Sequence, residues 1–413
     1  MAIHHSHIKE VKLKRSLTLL DTTVAGVGII LGAGIYALIG VASGYSGNSL
    51  WLSFVLAAVM AVFTGLSYAE LSSIFRSDSS EYEYTRMAFN KKVAMIIGVF
   101  VILSGIFTAA TVSIGFSNYL NALTGAPIML FAVLLIILLS AINFIGIRFS
   151  MFFTWISTIV EFIGLLVIIA IGFKYFGSTD LLAFETGFNG VLRATALVFF
   201  AYMGFESVVK LAEETKEPRK TIPMALILSI IITTIMYILV SIAAVSVISY
   251  EKLSLSRAPL ADVASMSLGN VAFIILAVIA LFSTMNTVLL TLITSSRFTY
   301  GLANEKALPS KLGEVFKLTK TPWMAILIIG IFSIIFVFFE NIAVVASLTN
   351  ISVFVTFAFV NGSLLVLRYK VNPKDIKFRI KFLNIGKFSV IALLGLLTSL
   401  LMLVYSVVNL SLA

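Results

Sequence analysis

Long apolar runs follow one another along almost the whole chain, separated by short polar stretches. A helix needs about 20 mostly apolar residues to cross a bilayer, and the runs approach or exceed that length. Eleven such runs occupy residues 17–41, 50–75, 93–120, 127–145, 151–173, 189–211, 223–249, 268–301, 323–339, 343–367 and 388–410. The pattern predicts an all-α polytopic membrane protein in which residues 1–413 form a single transmembrane domain of eleven helices embedded in the lipid bilayer.

The composition supports a membrane protein and narrows its chemistry. Hydrophobic residues make up 60% of the 413 positions and charged residues only 12%, whereas soluble domains carry about 25% charged residues. The absence of cysteine excludes disulfides, thiolate metal sites and thiol nucleophiles. The three histidines lie together at positions 4, 5 and 7, in a tail that we expect to be retained and disordered rather than metal-binding. We therefore expect no cofactor and no structural metal.

Basic residues are distributed asymmetrically between the two sides of the predicted bundle. If the N-terminus is cytoplasmic, 25 of the 29 lysines and arginines fall inside and four fall outside, as the positive-inside rule requires. The outer four are Lys174, Arg193, Lys252 and Arg257. The sequence thus predicts a protein of the cell membrane with a cytoplasmic N-terminus. Topology accounts for the net charge of +10, so we expect no nucleic-acid partner.

Two predicted helices contain glycine-rich interruptions. The first span contains GVGIILGAGIYALIG (residues 26–40), and the sixth contains FFAYMGFES (residues 199–207). The first glycine string lacks the spacing and the strand of a dinucleotide-binding fingerprint, which leaves a small-residue packing stripe or a helix break that lines a cavity. Breaks in the first and sixth spans are typical of two inverted five-helix repeats, in which half-helix ends bind charged groups. A zwitterion suits such ends.

Two glutamates, Glu161 and Glu206, lie well inside predicted spans. A charge at the centre of a membrane helix costs about 2.5–3.5 kcal/mol on insertion scales, so each needs a proton, a partner or a water-filled cavity. Either glutamate could couple transport to an ion, or could be a protonated carboxyl bonded to a neighbouring helix. Asp21 and Glu70 lie at span ends, where helix capping or interfacial pairing is the simpler account.

Five stretches resemble motifs of the amino acid permeases of the amino acid-polyamine-organocation superfamily. They are Gly32 to Tyr36, Tyr68 to Tyr84, Phe199 to Pro223, Ser296 to Pro309, and Ala346 to Arg368. The resemblance covers nearly the whole chain in order, although Ser79 and Ser80 replace the usual glycine pair. It implies a LeuT-like fold with one repeat at 17–173, an inverted repeat at 189–367, discontinuous helices 1 and 6, and a peripheral helix at 388–410. Many members have twelve helices rather than eleven.

The same resemblance implies a substrate site at the two interruptions. Backbone groups of Ile30 and of Gly32, Ala33 and Gly34 would bind the carboxylate of an amino acid. Ala201, Tyr202 and Gly204 would surround its ammonium group, and Phe200 matches an aromatic position that closes over the substrate. Glu161 stands where many members carry a lysine and where sodium-driven relatives hold a cation.

These observations favour a secondary active transporter that moves an amino acid by alternating access. The leading hypothesis is proton coupling through Glu161, with Glu206, Ser283 and Thr284 as further coupling residues. A sodium symporter is the alternative, with the ion near Ile29, Glu161, Ser283, Thr284 and Thr287, and an uncoupled exchanger is the third hypothesis. An enzyme is disfavoured because isolated glutamates make no catalytic set. A channel is disfavoured because no charged ring or filter loop is visible.

Overall fold

The computed structural model describes residues 17–75, 80–145, 147–209, 215–372, 376, 378–380 and 383–412. Some residues that were named above, counted among the basic residues or included in the five stretches lie outside these ranges. They are His4, His5, His7, Lys9, Lys12, Lys14, Arg15, Arg76, Ser79, Lys210, Glu213, Glu214, Lys374, Lys377 and Lys381.

Sixteen α-helices make up most of the described chain. In order they are α1 Leu19–Ile30, α2 Ala33–Ser46, α3 Leu50–Ile74, α4 Ser80–Ala88, α5 Lys91–Thr124, α6 Ile128–Ile145, α7 Ile147–Phe173, α8 Gly187–Val198, α9 Phe205–Val208, α10 Pro218–Val247, α11 Tyr250–Leu255, α12 Pro259–Leu268, α13 Asn270–Asn304, α14 Trp323–Val337, α15 Ile342–Lys370 and α16 Val390–Leu412. Two short antiparallel strands, β1 Asn384–Ile385 and β2 Phe388–Ser389, form a hairpin between α15 and α16.

Nine helical segments within the described residues are long and apolar enough to cross a membrane. Two shorter apolar helices, Leu19–Ile30 and Trp323–Val337, accompany them. Many large apolar side chains are exposed on the outer helices, such as Leu138 on α6 and Val404 on α16. Exposed apolar faces of this kind are expected where a helix contacts lipid. The prediction of an all-helical polytopic membrane protein is confirmed.

The seventh span begins earlier than predicted. The apolar pattern starts it at residue 223, but α10 begins at Pro218 and contains Pro223. The first turns of α10 read PRKTI, which is too polar to be recognised as part of an apolar span. Before α10, the Lys216 N–H donates to the carbonyl of Leu17, which precedes α1, at 2.8 Å.

The two acidic residues at span ends have the structural roles expected of them. Asp21 forms a capping box at the start of α1, because its carboxylate accepts from both the backbone N–H and the hydroxyl of Thr18. Glu70 pairs with Arg368 at the ends of α3 and α15, with N–O distances of 2.5 and 2.6 Å. That ion pair is fully buried rather than interfacial, since its side chains are 0% and 1% exposed.

Candidate functional site

The first helix interruption is a true break in the structure. Helix α1 ends at Ile30, Leu31 and Gly32 are extended, and α2 begins at Ala33. A break leaves the last carbonyls of one half-helix and the first N–H groups of the next without partners in their own helix. One of these N–H groups, that of Ala33, donates to the hydroxyl of Thr287 on α13 at 3.1 Å.

A second break interrupts the chain between α8 and α9. Helix α8 ends at Val198 and continues as a 3₁₀-helix over Phe199–Tyr202, after which Met203 is extended. Gly204 then has φ +112°, a conformation that is costly for a residue with a Cβ. Its N–H donates to the Glu206 carboxylate at 2.9 Å. Glu206 therefore lies at the break itself.

The two breaks cross at van der Waals contact. A Cβ built on Gly34 would lie 2.6 Å from the Cα of Ala201, and one on Gly204 would lie 2.9 Å from the carbonyl oxygen of Ile29. Each break thus contributes a glycine that lets the other backbone approach. The sequence left open a helix break or a packing stripe for the glycines of the first span. They have both roles, since the helix is broken there and the backbones pack closely.

Side chains from neighbouring helices satisfy backbone groups that the breaks leave free. The hydroxyl of Tyr237 on α10 lies 3.0 Å from the Ile30 carbonyl and 2.9 Å from the Ala201 carbonyl. The amide of Asn350 on α15 donates to the carbonyls of Ala196 and Leu197, at 2.7 and 3.2 Å, near the end of α8. Sequence reasoning missed both residues. The available signal was a buried polar residue within an otherwise apolar span.

Glu161 on α7 lies in a buried network that leads to the first break. Its carboxylate accepts from the Ser283 hydroxyl at 2.7 Å, and its backbone carbonyl accepts from the Tyr36 hydroxyl at 3.1 Å. The Thr287 hydroxyl, which accepts from the Ala33 N–H, donates to the Ser283 carbonyl at 3.1 Å. A short polar chain on α13 therefore connects the carboxyl group to the start of α2.

The remaining residues of the predicted site have other contacts. The Thr284 hydroxyl donates to the Ala280 carbonyl of its own helix at 2.7 Å, and the Tyr202 hydroxyl donates to the Phe54 carbonyl on α3 at 2.9 Å. Phe200 is buried at 4% exposure. The structure brings the break residues together and places Glu161 beside Ser283, but it directs the Tyr202 hydroxyl into the packing against α3.

The surroundings of the breaks differ on their two sides. On the side toward which α2 runs, a cavity of about 110 Å³ opens between α2, α5, the α11–α12 segment and α15. On the opposite side, Tyr68, Phe205 and Phe357 are buried against one another with ring centroids 5.3–6.2 Å apart. An aromatic cluster therefore lies on the α9 side of the breaks, and a small cavity lies on the other side.

Comparison with known proteins identifies the family. The profile described as amino acid permease matches residues 17–412. The chain is 31% identical over 383 residues to a branched-chain amino acid permease of Bacillus subtilis, covering 87% of this chain and 82% of the relative. It is 29% identical over 398 residues to a methylthioribose transporter of the same organism, covering 91% and 86%. It is 29% identical over 401 residues to the mitochondrial cationic amino acid transporter 3 of Arabidopsis thaliana, covering 90% of this chain but only 65% of the relative.

The chain belongs to the amino acid permease family of the amino acid-polyamine-organocation superfamily. The resemblance noted in the sequence is thereby confirmed. The family and these relatives are described as permeases and transporters, which also confirms that the chain is not an enzyme. The methylthioribose transporter among them means that membership alone does not define the substrate.

Proposed function

We propose that this protein transports an amino acid across the cell membrane by alternating access, with the substrate bound where the two breaks cross. The crossing carries the proposal, because it places the N-terminal end of α2 near carbonyls at the ends of α1 and α8. Positive helix N-termini attract anions, and carbonyl ends attract cations. Ile30, Gly32, Ala33 and Gly34 would bind the carboxylate, and Ala201, Tyr202 and Gly204 the ammonium group, under Phe200.

The arrangement of helices supports an eleven-span fold of two inverted repeats. The segment Ala33–Ile74 contains both α2 and α3. We count α1 with α2 as one span and α8 with α9 as another, and we include Trp323–Val337. With the short helices α4, α11 and α12 left out, the described helices form eleven spans. The breaks then fall in the first and the sixth span. We accordingly assign one repeat to residues 17–173, the other to 189–367, and a peripheral helix to 388–410.

We assign energy coupling to a proton on Glu161. Glu161 is buried at 1% exposure, its carboxyl group contacts the Ser283 hydroxyl, and a charge within a membrane span is costly. A sodium site would also need the Ile29 carbonyl, which lies against Gly204 of the second break. Protonation of Glu161 requires only its contact with Ser283, whereas a sodium ion would need oxygen atoms of several residues around it.

The Glu161→Gln variant tests this coupling in proteoliposomes. Glutamine keeps the shape of a protonated glutamate and its contact with Ser283, so we expect exchange of internal for external substrate to survive. Uptake driven by an imposed proton gradient should be lost. The matched control is Glu340→Gln, which changes an exposed carboxylate at the end of α14 and should leave both activities unchanged.

Two results would contradict proton coupling. Wild-type uptake that requires a sodium gradient at fixed pH, together with loss of the sodium response in Glu161→Gln, would establish the sodium alternative. Wild-type uptake that is indifferent to both gradients would identify an exchanger, in which Glu161 is a structural and permanently protonated group.

A further inference from the structure

Helices α2 and α5 pack against each other at the cavity beside the breaks. Its wall on α2 includes Ala37, Gly40 and Val41, and its wall on α5 includes Gly115 and Tyr119. The two helices touch where a Cβ on Gly115 would lie 2.8 Å from the Cβ of Ala37. On α5, Gly98 and Gly105 face Leu302 and Ser295 of α13, so rising residue numbers on α5 approach the level of Thr287, which bonds to the first break. Helix α5 therefore passes the level of the break before it reaches Gly115.

Thr111 lies one turn further toward the break on the same face of α5. Four residues span about 6 Å along a helix and return to nearly the same face. Thr111 therefore lies nearer the break than Gly115 does, just as Ala33 lies nearer the break than Ala37 does. Thr111 is completely buried, and its hydroxyl has no hydrogen-bond partner within the described part of the chain. In contrast, the Thr108 hydroxyl on the same helix donates to the Ser104 carbonyl at 2.7 Å.

Asn350 presents a second polar atom that is buried and unpaired among the described residues. Its two amide hydrogens are directed to the Ala196 and Leu197 carbonyls, which fixes the orientation of the side chain, since a flipped amide would place its oxygen against two carbonyl oxygens. The opposite atom, Oδ1, is buried without a partner. On α15 it lies eight residues beyond Ile342, which lines the cavity, and it is held beside the segment that leads to Ala201.

A buried hydroxyl and a buried amide oxygen without partners are costly in an empty site and favourable when a ligand supplies their hydrogen bonds. We propose that Thr111 and Asn350 form the side-chain subsite of this transporter, and that its substrates are amino acids with a hydroxyl or carboxamide side chain. Asn350 Oδ1 accepts a hydrogen bond from such a group, and the Thr111 hydroxyl can donate or accept. This inference rests on the proposed function, and the substrate class differs from the branched-chain amino acids in the name of one relative.

Isosteric substrates and an isosteric substitution test the proposal together. Threonine and valine have the same shape and differ by a hydroxyl, and asparagine and leucine differ by a carboxamide. In wild-type proteoliposomes we expect kcat/KM for threonine to exceed that for valine by at least about tenfold, the equivalent of one hydrogen bond. Thr111→Val should reduce this preference by about tenfold, whereas the control Thr108→Val should leave it unchanged.

Thermal unfolding separates a binding role from a structural one. Thr111→Val removes an unpaired buried hydroxyl, so its Tm without substrate should stay the same or rise, while stabilisation by threonine should fall. Asn350→Ala removes the amide that donates to the Ala196 and Leu197 carbonyls and should lower Tm. Its diagnostic readout is therefore the ratio of asparagine to leucine uptake, which should fall about tenfold.

The failures are distinguishable. If the wild type transports valine and leucine as well as threonine and asparagine, or if Thr111→Val does not change the ratio, the polar subsite is wrong and the proposed amino acid transport stands. If none of the four is transported but another amino acid is, the subsite fails and the proposed function stands. If no amino acid is transported, both fail.

Discussion

Gly32 and Gly34 stand two residues apart in the first break and have different structural roles. At Gly32 a Cβ would lie 3.2 Å from the Thr287 hydroxyl, a tight contact that a small shift relieves, and the backbone is extended. At Gly34 it would lie 2.6 Å from the Cα of Ala201, which belongs to the other break. The first glycine borders the space proposed for the carboxylate, and the second allows the breaks to cross.

Alanine substitutions should separate these two roles. We expect Gly32→Ala to keep a nearly wild-type Tm but to weaken amino acid binding at least tenfold, or about 1.4 kcal/mol, because the methyl group enters the carboxylate space. Gly34→Ala should lower the free energy of unfolding by about 1–3 kcal/mol through overpacking. Gly301→Ala is the control, since a Cβ there meets no heavy atom within 4 Å. Unchanged binding in Gly32→Ala would remove Gly32 from the site.

At this scale, sequence reasoning predicted the residues of the two breaks but not the side chains that bond to them. Glycine indicates a helix break because it has no side chain to shield the backbone. The sequence alone therefore predicts breaks at Gly32, Gly34 and Gly204. Tyr237 and Asn350 bond to carbonyls that are far away in sequence. No local pattern records which free carbonyl a tyrosine or an asparagine will meet after folding, so these partners emerge only from the packing of α10 and α15.

Among the elements, α3, α15 and the β1–β2 hairpin are joined by the buried ion pair. Arg368 donates to Glu70 and also to the side chain of Asn384 at 2.6 Å, while the Ile380 N–H donates to Glu70 at 3.0 Å. The hairpin escaped sequence prediction because it is two residues long in each strand. Its position depends on these contacts rather than on an alternating apolar pattern.

Breaking this pair on one side should destabilise the protein strongly. Glu70→Gln leaves Arg368 as a buried charge without its counter-ion, which typically costs about 3–5 kcal/mol. The control is Lys220→Gln, because Lys220 pairs with Glu217 at 86% and 76% exposure, and such surface pairs contribute about 0–1 kcal/mol. Thermal unfolding in detergent measures both. Equal Tm values for the two variants would show that the buried pair contributes no more than a surface pair.

For the whole molecule, the apolar runs and the distribution of charge predicted the class of fold, because the length of a span and the location of lysine and arginine are set directly by the bilayer. Polar helix starts are invisible to that reasoning, as the first turns of α10 demonstrate. The proposed orientation places the α11–α12 segment outside and the segment between α13 and α14 inside.

Single cysteines can test this orientation directly, because the chain has none of its own. Leu255, the last residue of α11, and Leu318, before α14, are suitable positions at 85% and 87% exposure. In intact cells an impermeant maleimide should label Leu255→Cys but not Leu318→Cys, and permeabilisation should make Leu318→Cys reactive. Labelling of both from the same side would overturn the proposed topology.

The central claim is that a zwitterion binds where the two breaks cross. Competition by compounds that lack one or both of its charges tests this claim most directly. The measurement is uptake of labelled L-threonine into wild-type proteoliposomes in the presence of unlabelled threonine, its decarboxylated amine, its deaminated hydroxy acid, or methylthioribose. We predict that only threonine competes, since the start of α2 attracts a carboxylate and the carbonyls of the breaks attract an ammonium group. Equal competition by the amine, by the hydroxy acid or by methylthioribose would contradict the account.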